Sequence, residues 1–141
     1  MAPRELFDQA LSLLLAKDMS GFADLWAADG TMEFPFAPPG WPTRLDGREA
    51  VREYLSGYTG IFDVKSVTEL TVHETTDPEV IVVEFAVEGL MVRTGEPYGN
   101  RYVCVLTVRD GQIVGYRDYW SAASANDEAD FTSNESRSGD V

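Results

Sequence analysis

Apolar residues recur three and four apart at Leu6, Phe7, Ala10, Leu11, Leu13 and Leu14, which predicts an amphipathic helix over 3–16, with Pro3 suited to its first turn. Lys17-Asp18 interrupts the stripe. Asp18 or Ser20 can cap a second, short helix that buries Phe22, Leu25 and Trp26 and ends at Ala28-Asp29-Gly30. Met32, Phe34 and Phe36 then alternate with Glu33 and Pro35. This is the pattern of a short strand over 31–36, which its proline confines to a sheet edge or to the strand's own end. Residues 37–42 (APPGWP) form a stiff loop carrying an aromatic, either a plug over the core or a lid on a pocket. Asp46 and Glu49 have capping-box spacing for a third helix. Ala50, Val51, Tyr54, Leu55 and Tyr58 share one face of it, and Gly57 and Gly60 end it.

From Phe62 the period changes to two. Val64, Ser66, Thr68, Leu70 and Val72 alternate with Lys65, Val67, Glu69, Thr71 and His73, and a turn follows at 74–78. Residues 80–88 (VIVVEFAVE) read as a strand buried on both faces over part of its length, with Val82, Glu84, Ala86 and Glu88 on one face. Residues 98–120 contain two alternating runs around Asp110-Gly111, a strong hairpin signal because such a turn needs positive φ. Val114, Tyr116, Asp118 and Trp120 share one side of the last strand, and Gly115, Arg117 and Tyr119 the other.

Helix, helix, strand, helix and four further strands predict an α+β fold. One strongly curved antiparallel sheet would wrap around three N-terminal helices as a cone-shaped α+β barrel whose mouth admits a small molecule. Residues 1–120 read as a single domain. Residues 121–141 are acidic, hold little apolar mass beyond Phe131, and read as a disordered or loosely attached tail.

Composition narrows the function classes. The 141 residues carry a net charge of −13, which argues against nucleic acid and anionic membrane as partners. No run has the length of a membrane span. One cysteine, Cys104, fits strand packing in a reducing cytoplasm, and with one histidine it disfavours a metal site. No nucleotide-loop, hydrolase-elbow or zinc-protease motif occurs, and nothing points to a cofactor.

The feature that invites chemistry is Asp118, a carboxylate between a tyrosine and a tryptophan on one apolar face. Glu84, inside an apolar strand, is the second acidic candidate, since a buried carboxylate is costly unless paired or protonated. Two carboxylates on one concave face would push their pKa values apart, leaving one acid and one base. Tyr102, Asn100, Tyr116 and Tyr54 are candidates to hydrogen-bond a substrate oxygen. Trp26, Phe34, Phe36, Trp41 and Trp120 are candidate pocket walls suited to a flat apolar substrate. His73 falls at a strand end in register with Lys65 and Glu69 and reads as facing outward.

The element order, with DGQIVGYRDYW at its end and EFPFAPPGWP after the second helix, resembles the nuclear-transport-factor-2-like superfamily, and most closely its SnoaL-like polyketide-cyclase branch, over roughly residues 4–120. The superfamily hosts ketosteroid isomerases, polyketide cyclases, dehydratases and limonene-type epoxide hydrolases, besides proteins that only bind or dimerise. The resemblance implies an apolar cone with one or two inward carboxylates, and it places Asp118 where cyclases and hydrolases carry an acidic group on the last strand. RDYW is similar to the hydrolases' RDYF-type sequence. Their Arg-x-Asp pair has no counterpart in Glu84-Phe85-Ala86-Val87-Glu88, which counts against epoxide hydrolysis. The expectation is therefore a cofactor-independent cyclase, isomerase or dehydratase acting on an apolar, polyketide-like intermediate. The alternative is a non-catalytic small-molecule-binding or dimerisation module, and a second alternative is a limonene-type epoxide hydrolase. Tyr119, Val103 and Val105 make the outer sheet face apolar enough to suggest a homodimer on either reading.

Overall fold

The computed structural model describes residues 2–120; the predicted acidic tail lies outside the described residues. Helices α1 (Pro3–Leu15) and α2 (Met19–Ala23) are followed by strands β1 (Trp26–Glu33) and β2 (Arg44–Asp46). Helices α3 (Arg48–Leu55) and α4 (Tyr58–Ile61) come next, then strands β3 (Phe62–Glu74), β4 (Val80–Met91), β5 (Pro97–Arg109) and β6 (Gln112–Trp120). The strands form one sheet in the order β2-β1-β6-β5-β4-β3.

The fold is α+β, as the pattern implies, with two corrections. The sheet is mixed, because β1 runs parallel to β6 while every other pair is antiparallel. Among the described residues it is also open, with β2 and β3 at its edges, so it is not a closed barrel. Trp26 opens β1 rather than lying on the buried side of a helix, and the strand begins five residues before the predicted one. Asp29 and Gly30, which read as a helix stop, lie in a register shift between Trp26 and Thr31. Gly47 occupies the cap position of α3, and Asp46 instead bonds Arg44 across 2.7 Å.

The β5–β6 hairpin forms as the sequence demands. Asp110 and Gly111 have φ of 54° and 74°, the two positive values of a two-residue turn that matches strand twist. Register shifts occur in β3 between Val64 and Ser66 and between Val67 and Glu69, and in the hairpin between Thr107 and Val108. Each extra residue bends its strand and raises local twist. One face of the sheet thereby closes on the helices. Ile81, Val83, Phe85 and Val87 of β4 and Cys104, Leu106 and Val108 of β5 are buried against Leu6, Phe7, Ala10 and Leu11 of α1. Phe7 meets Phe85 edge-on, with centroids 5.4 Å apart.

Gly89 pairs with Val64 at the first shift. A Cβ at Gly89 would collide with the Asp63 carbonyl, which is held in the ladder and cannot retreat. Gly89→Ala is expected to cost at least ~2 kcal/mol of unfolding free energy, measured by urea titration. Among the described residues no helix is long and apolar enough to cross a membrane.

Candidate active site

Strand β6 positions the site. Its register sets Tyr116 opposite Leu106, Asp118 opposite Cys104 and Trp120 opposite Tyr102. Alternation then turns Tyr116, Asp118 and Trp120 to the inner face, where Tyr116 is buried. Val114 leaves this set, because the shift at Thr107/Val108 lets Ile113 take the buried place.

Two apolar lobes open on this face. The helix-side lobe, of about 70 Å³, is lined by Leu14, Met19, Phe22, Phe85, Val87 and Tyr116. The loop-side lobe, of about 80 Å³, is lined by Phe34, Trp41, Tyr54 and Trp120. Both also take Met32, Leu55, Tyr58, Tyr102 and Asp118 as wall. Asp118 is therefore the one carboxylate on the wall common to both, and its Oδ1 is buried. An engineered apolar cavity of about 150 Å³ admits a benzene ring, so the lobes together have the scale of one ring rather than several.

Tyr102 joins Asp118 on that wall. Its ring stacks on Phe85 with centroids 5.0 Å apart, and its hydroxyl lies 3.0 Å from the Tyr98 hydroxyl, which itself sits beside stacked Phe62. The loop predicted as plug or lid is a strap. Phe34 N–H donates to the Thr43 carbonyl at 2.9 Å and pins its ends, while Trp41 packs on Trp120 at 5.2 Å. Tyr54 packs on Phe34 at 5.2 Å. The predicted wall residues Phe34, Trp41 and Trp120 and the predicted polar candidates Tyr54 and Tyr102 thus border the loop-side lobe with Asp118, and Tyr116 borders the helix-side lobe.

Four candidates do not. Glu84 points to the opposite face of the sheet, because Phe85 and Val83 take the inner positions of β4. It is exposed, and one of its carboxylate oxygens lies 2.6 Å from His73 Nε2. Its predicted role as the acid–base partner of Asp118 therefore lacks the geometry. Trp26 is fully buried between Phe22 and Tyr116, and its indole donates to the Thr31 carbonyl at 3.1 Å, so it is core rather than wall. Phe36 is 65% exposed and covers Tyr119 from outside. Asn100 is buried, its Oδ1 accepts from the Arg101 backbone N–H at 2.9 Å, and it lines neither lobe. Tyr58, Met32 and Leu55 on the shared wall were missed. Tyr58 lies four residues after Tyr54, and that spacing was the available signal.

A larger concavity, of about 320 Å³, carries Glu69, Thr71, Glu84, Arg101, Val103 and Tyr119. It is not the better site. Arg101 is bound by both oxygens of Glu69, and Glu84 by His73, so its charged groups are already engaged in the open. Glu84→Gln is expected to change the unfolding free energy by no more than ~1 kcal/mol in a urea titration, since an exposed pair contributes ~0–1 kcal/mol.

Burial pushes the Cys104 thiol well above its usual range, with the Asp118 charge adding to it, and burial does the same to the Tyr116 phenol. Both stay neutral and serve packing behind Asp118. Among the described residues no three His, Cys, Asp or Glu side chains are placed to hold a metal ion.

The SnoaL-like domain family pattern matches residues 4–116. The chain belongs to the SnoaL-like domain family. This SnoaL-like domain is 37% identical over 117 residues to the uncharacterized protein YesE of Bacillus subtilis, covering 83% of this chain and 80% of that one. It is 37% identical over 121 residues to an uncharacterized PhzA/B-like protein of Pseudomonas aeruginosa, covering 86% and 85%. A crystal structure from Bacillus subtilis, of a protein named as a candidate isomerase, superposes with a TM-score of 0.84 at 34% identity over 89% of this chain and 90% of that one.

Proposed function

We propose that this SnoaL-like domain is a cofactor-independent enzyme of the isomerase, cyclase or dehydratase kind, acting by proton transfer on a small apolar carbonyl compound. The observation that carries the reading is Asp118, a carboxylate with a buried oxygen on the wall common to two apolar lobes. A carboxylate kept from bulk water is a stronger base toward a weakly acidic C–H than one in solution. Asp118 takes a proton from the carbon next to a carbonyl. The electron pair of the broken C–H bond forms a C=C bond, and the carbonyl π pair moves to oxygen. The Tyr102 hydroxyl, backed by that of Tyr98, donates to the oxygen as it gains charge. Returning the proton to a different carbon isomerises the compound. Returning it to a leaving hydroxyl dehydrates it, and attack by the enolate on a second carbonyl closes a ring.

The candidate isomerase among its relatives supports this reading, and the size of the lobes favours a one-ring or short-chain substrate. The test is exchange of deuterium from D₂O into the carbon beside the carbonyl of small cyclic ketones and enones, followed by NMR. Exchange above the buffer rate that disappears in Asp118→Asn supports the proposal, and no exchange across the series counts against it.

A homodimer through the outer sheet face is part of the proposal. Val103 is 37% exposed there, beside Tyr119 and Phe36. Sedimentation at low protein concentration is expected to give twice the chain mass, and a species near 15.6 kDa would contradict it.

A further inference from the structure

The two lobes beside Asp118 hold about 70 and 80 Å³. An apolar cavity that takes one benzene ring holds about 150 Å³. Each lobe is thus about half of what a ring needs. A ring seated in full beside Asp118 must draw space from both, so the wall between them has to give way.

Five residues border both lobes and make up that wall: Met32, Leu55, Tyr58, Tyr102 and Asp118. Four are poorly suited to yield. Tyr102 is stacked on Phe85, and its hydroxyl meets that of Tyr98. Tyr58 packs on Phe62 with centroids 5.2 Å apart. Leu55 is buried at the end of α3, and its branched tip has few staggered positions. Asp118 is short and sweeps little volume. Met32 differs. It is unbranched, with a polarizable thioether on three rotatable bonds, the side chain best able to repack in a confined space. Its backbone is fixed, because β1 pairs it with Leu45 of β2 on one side and with Tyr116 of β6 on the other. Only its side chain can move. Turning the sulfur and methyl into one lobe leaves their former place to the other. Met32 is also buried, at 4% exposure, so its bulk stays inside the pocket wherever it turns.

We propose that Met32 sets the size of the substrate, as a movable partition that yields room for one ring beside Asp118 and denies it to two fused rings. The assignment rests on the proton-transfer reading for what the ring is, and it names the substrate class more closely: cyclic carbonyl compounds of a single ring. Met32 is a specificity residue, not a catalytic one.

The test compares binding of toluene and naphthalene, one ring and two, to the full chain. Wild type is expected to prefer toluene by about tenfold or more, the scale on which a packed wall resists extra carbons. Met32→Ala frees the space beyond Cβ and is expected to shift that preference toward naphthalene by about tenfold or more. Met19→Ala removes the same side chain from a wall of the helix-side lobe alone and is expected to shift it by less than about threefold. A third readout needs no variant to fold well. In wild type with labelled methionine methyls, the Met32 signal, identified by its absence in Met32→Leu, is expected to move as toluene saturates the protein. An unmoved Met32 signal at saturation, an unchanged preference in folded Met32→Ala, an equal shift in Met19→Ala, or no toluene binding to wild type would each overturn the proposal. Toluene and naphthalene carry no carbonyl. Failure here is therefore distinct from failure of the Asp118 reading, which is read from deuterium exchange.

Discussion

Asp118→Asn is expected to lower the rate of deuterium exchange into a small ketone by ~10²–10⁴-fold, the usual contribution of a positioned general base. The amide has the shape of the carboxylate but cannot take a proton from carbon. The apolar walls and the Tyr102 hydroxyl remain, so binding of a neutral ring should change little while turnover falls. That separation distinguishes a lost base from a damaged pocket. The surroundings of Asp118 make asparagine tolerable, because its strand neighbours Arg117 and Tyr119 face outward and are untouched, and its cross-strand neighbour Cys104 is a neutral thiol. The melting temperature should stay close to that of wild type. A retained exchange rate in the folded variant would remove Asp118 from the chemistry.

Trp26→Ala is expected to lower the unfolding free energy by about 3–5 kcal/mol, the range for deleting a fully buried tryptophan. Three losses coincide at this residue. Its ring lies 5.5 Å from both Phe22 and Tyr116, joining α2 to the inner face of β6. Its indole N–H holds the Thr31 carbonyl across the irregular part of β1, where Gly30 packs so closely that a Cβ would meet the Ile113 carbonyl at 2.6 Å. Its removal also leaves a cavity behind Tyr116, two residues from Asp118. Guanidinium titration measures the effect, and a loss below about 1 kcal/mol would mean that the core relaxes around the gap. Trp26→Phe keeps most of the volume and loses the hydrogen bond, so it should fall between the two.

The contrast between what was legible in the sequence and what was not follows the range of the interactions. The β5–β6 hairpin was legible because Asp110-Gly111 sets it locally, and its alternation carried the inward face of Asp118 with it. The position of β1 was not. Phe22, Leu25 and Trp26 have helical spacing, and Asp29-Gly30 reads as a stop. The fate of this stretch is decided by parallel pairing with β6, about ninety residues away, which leaves no local mark. Glu84 was misread for a different reason. A carboxylate in an apolar run suggests burial, yet the larger apolar residues Ile81, Val83, Phe85 and Val87 form the alternate set and claim the inner face. Weighing side-chain size between the two sets would have turned Glu84 outward. The spacing set Tyr58 on one helix face with Tyr54, whereas α3 ends at Leu55 and a new turn of helix begins at Tyr58. The two tyrosines therefore reach the same lobe from different elements.

The most direct test is a crystal structure of the chain soaked with cyclohexanone. The ring is expected in the lobes between Phe34, Trp41 and Tyr102. The carbon beside the carbonyl should lie within about 3–3.5 Å of an Asp118 oxygen, a distance from which a proton can pass. A ketone bound instead in the outer concavity beside Glu84 and Arg101, with the lobes empty, would contradict the assignment of the site.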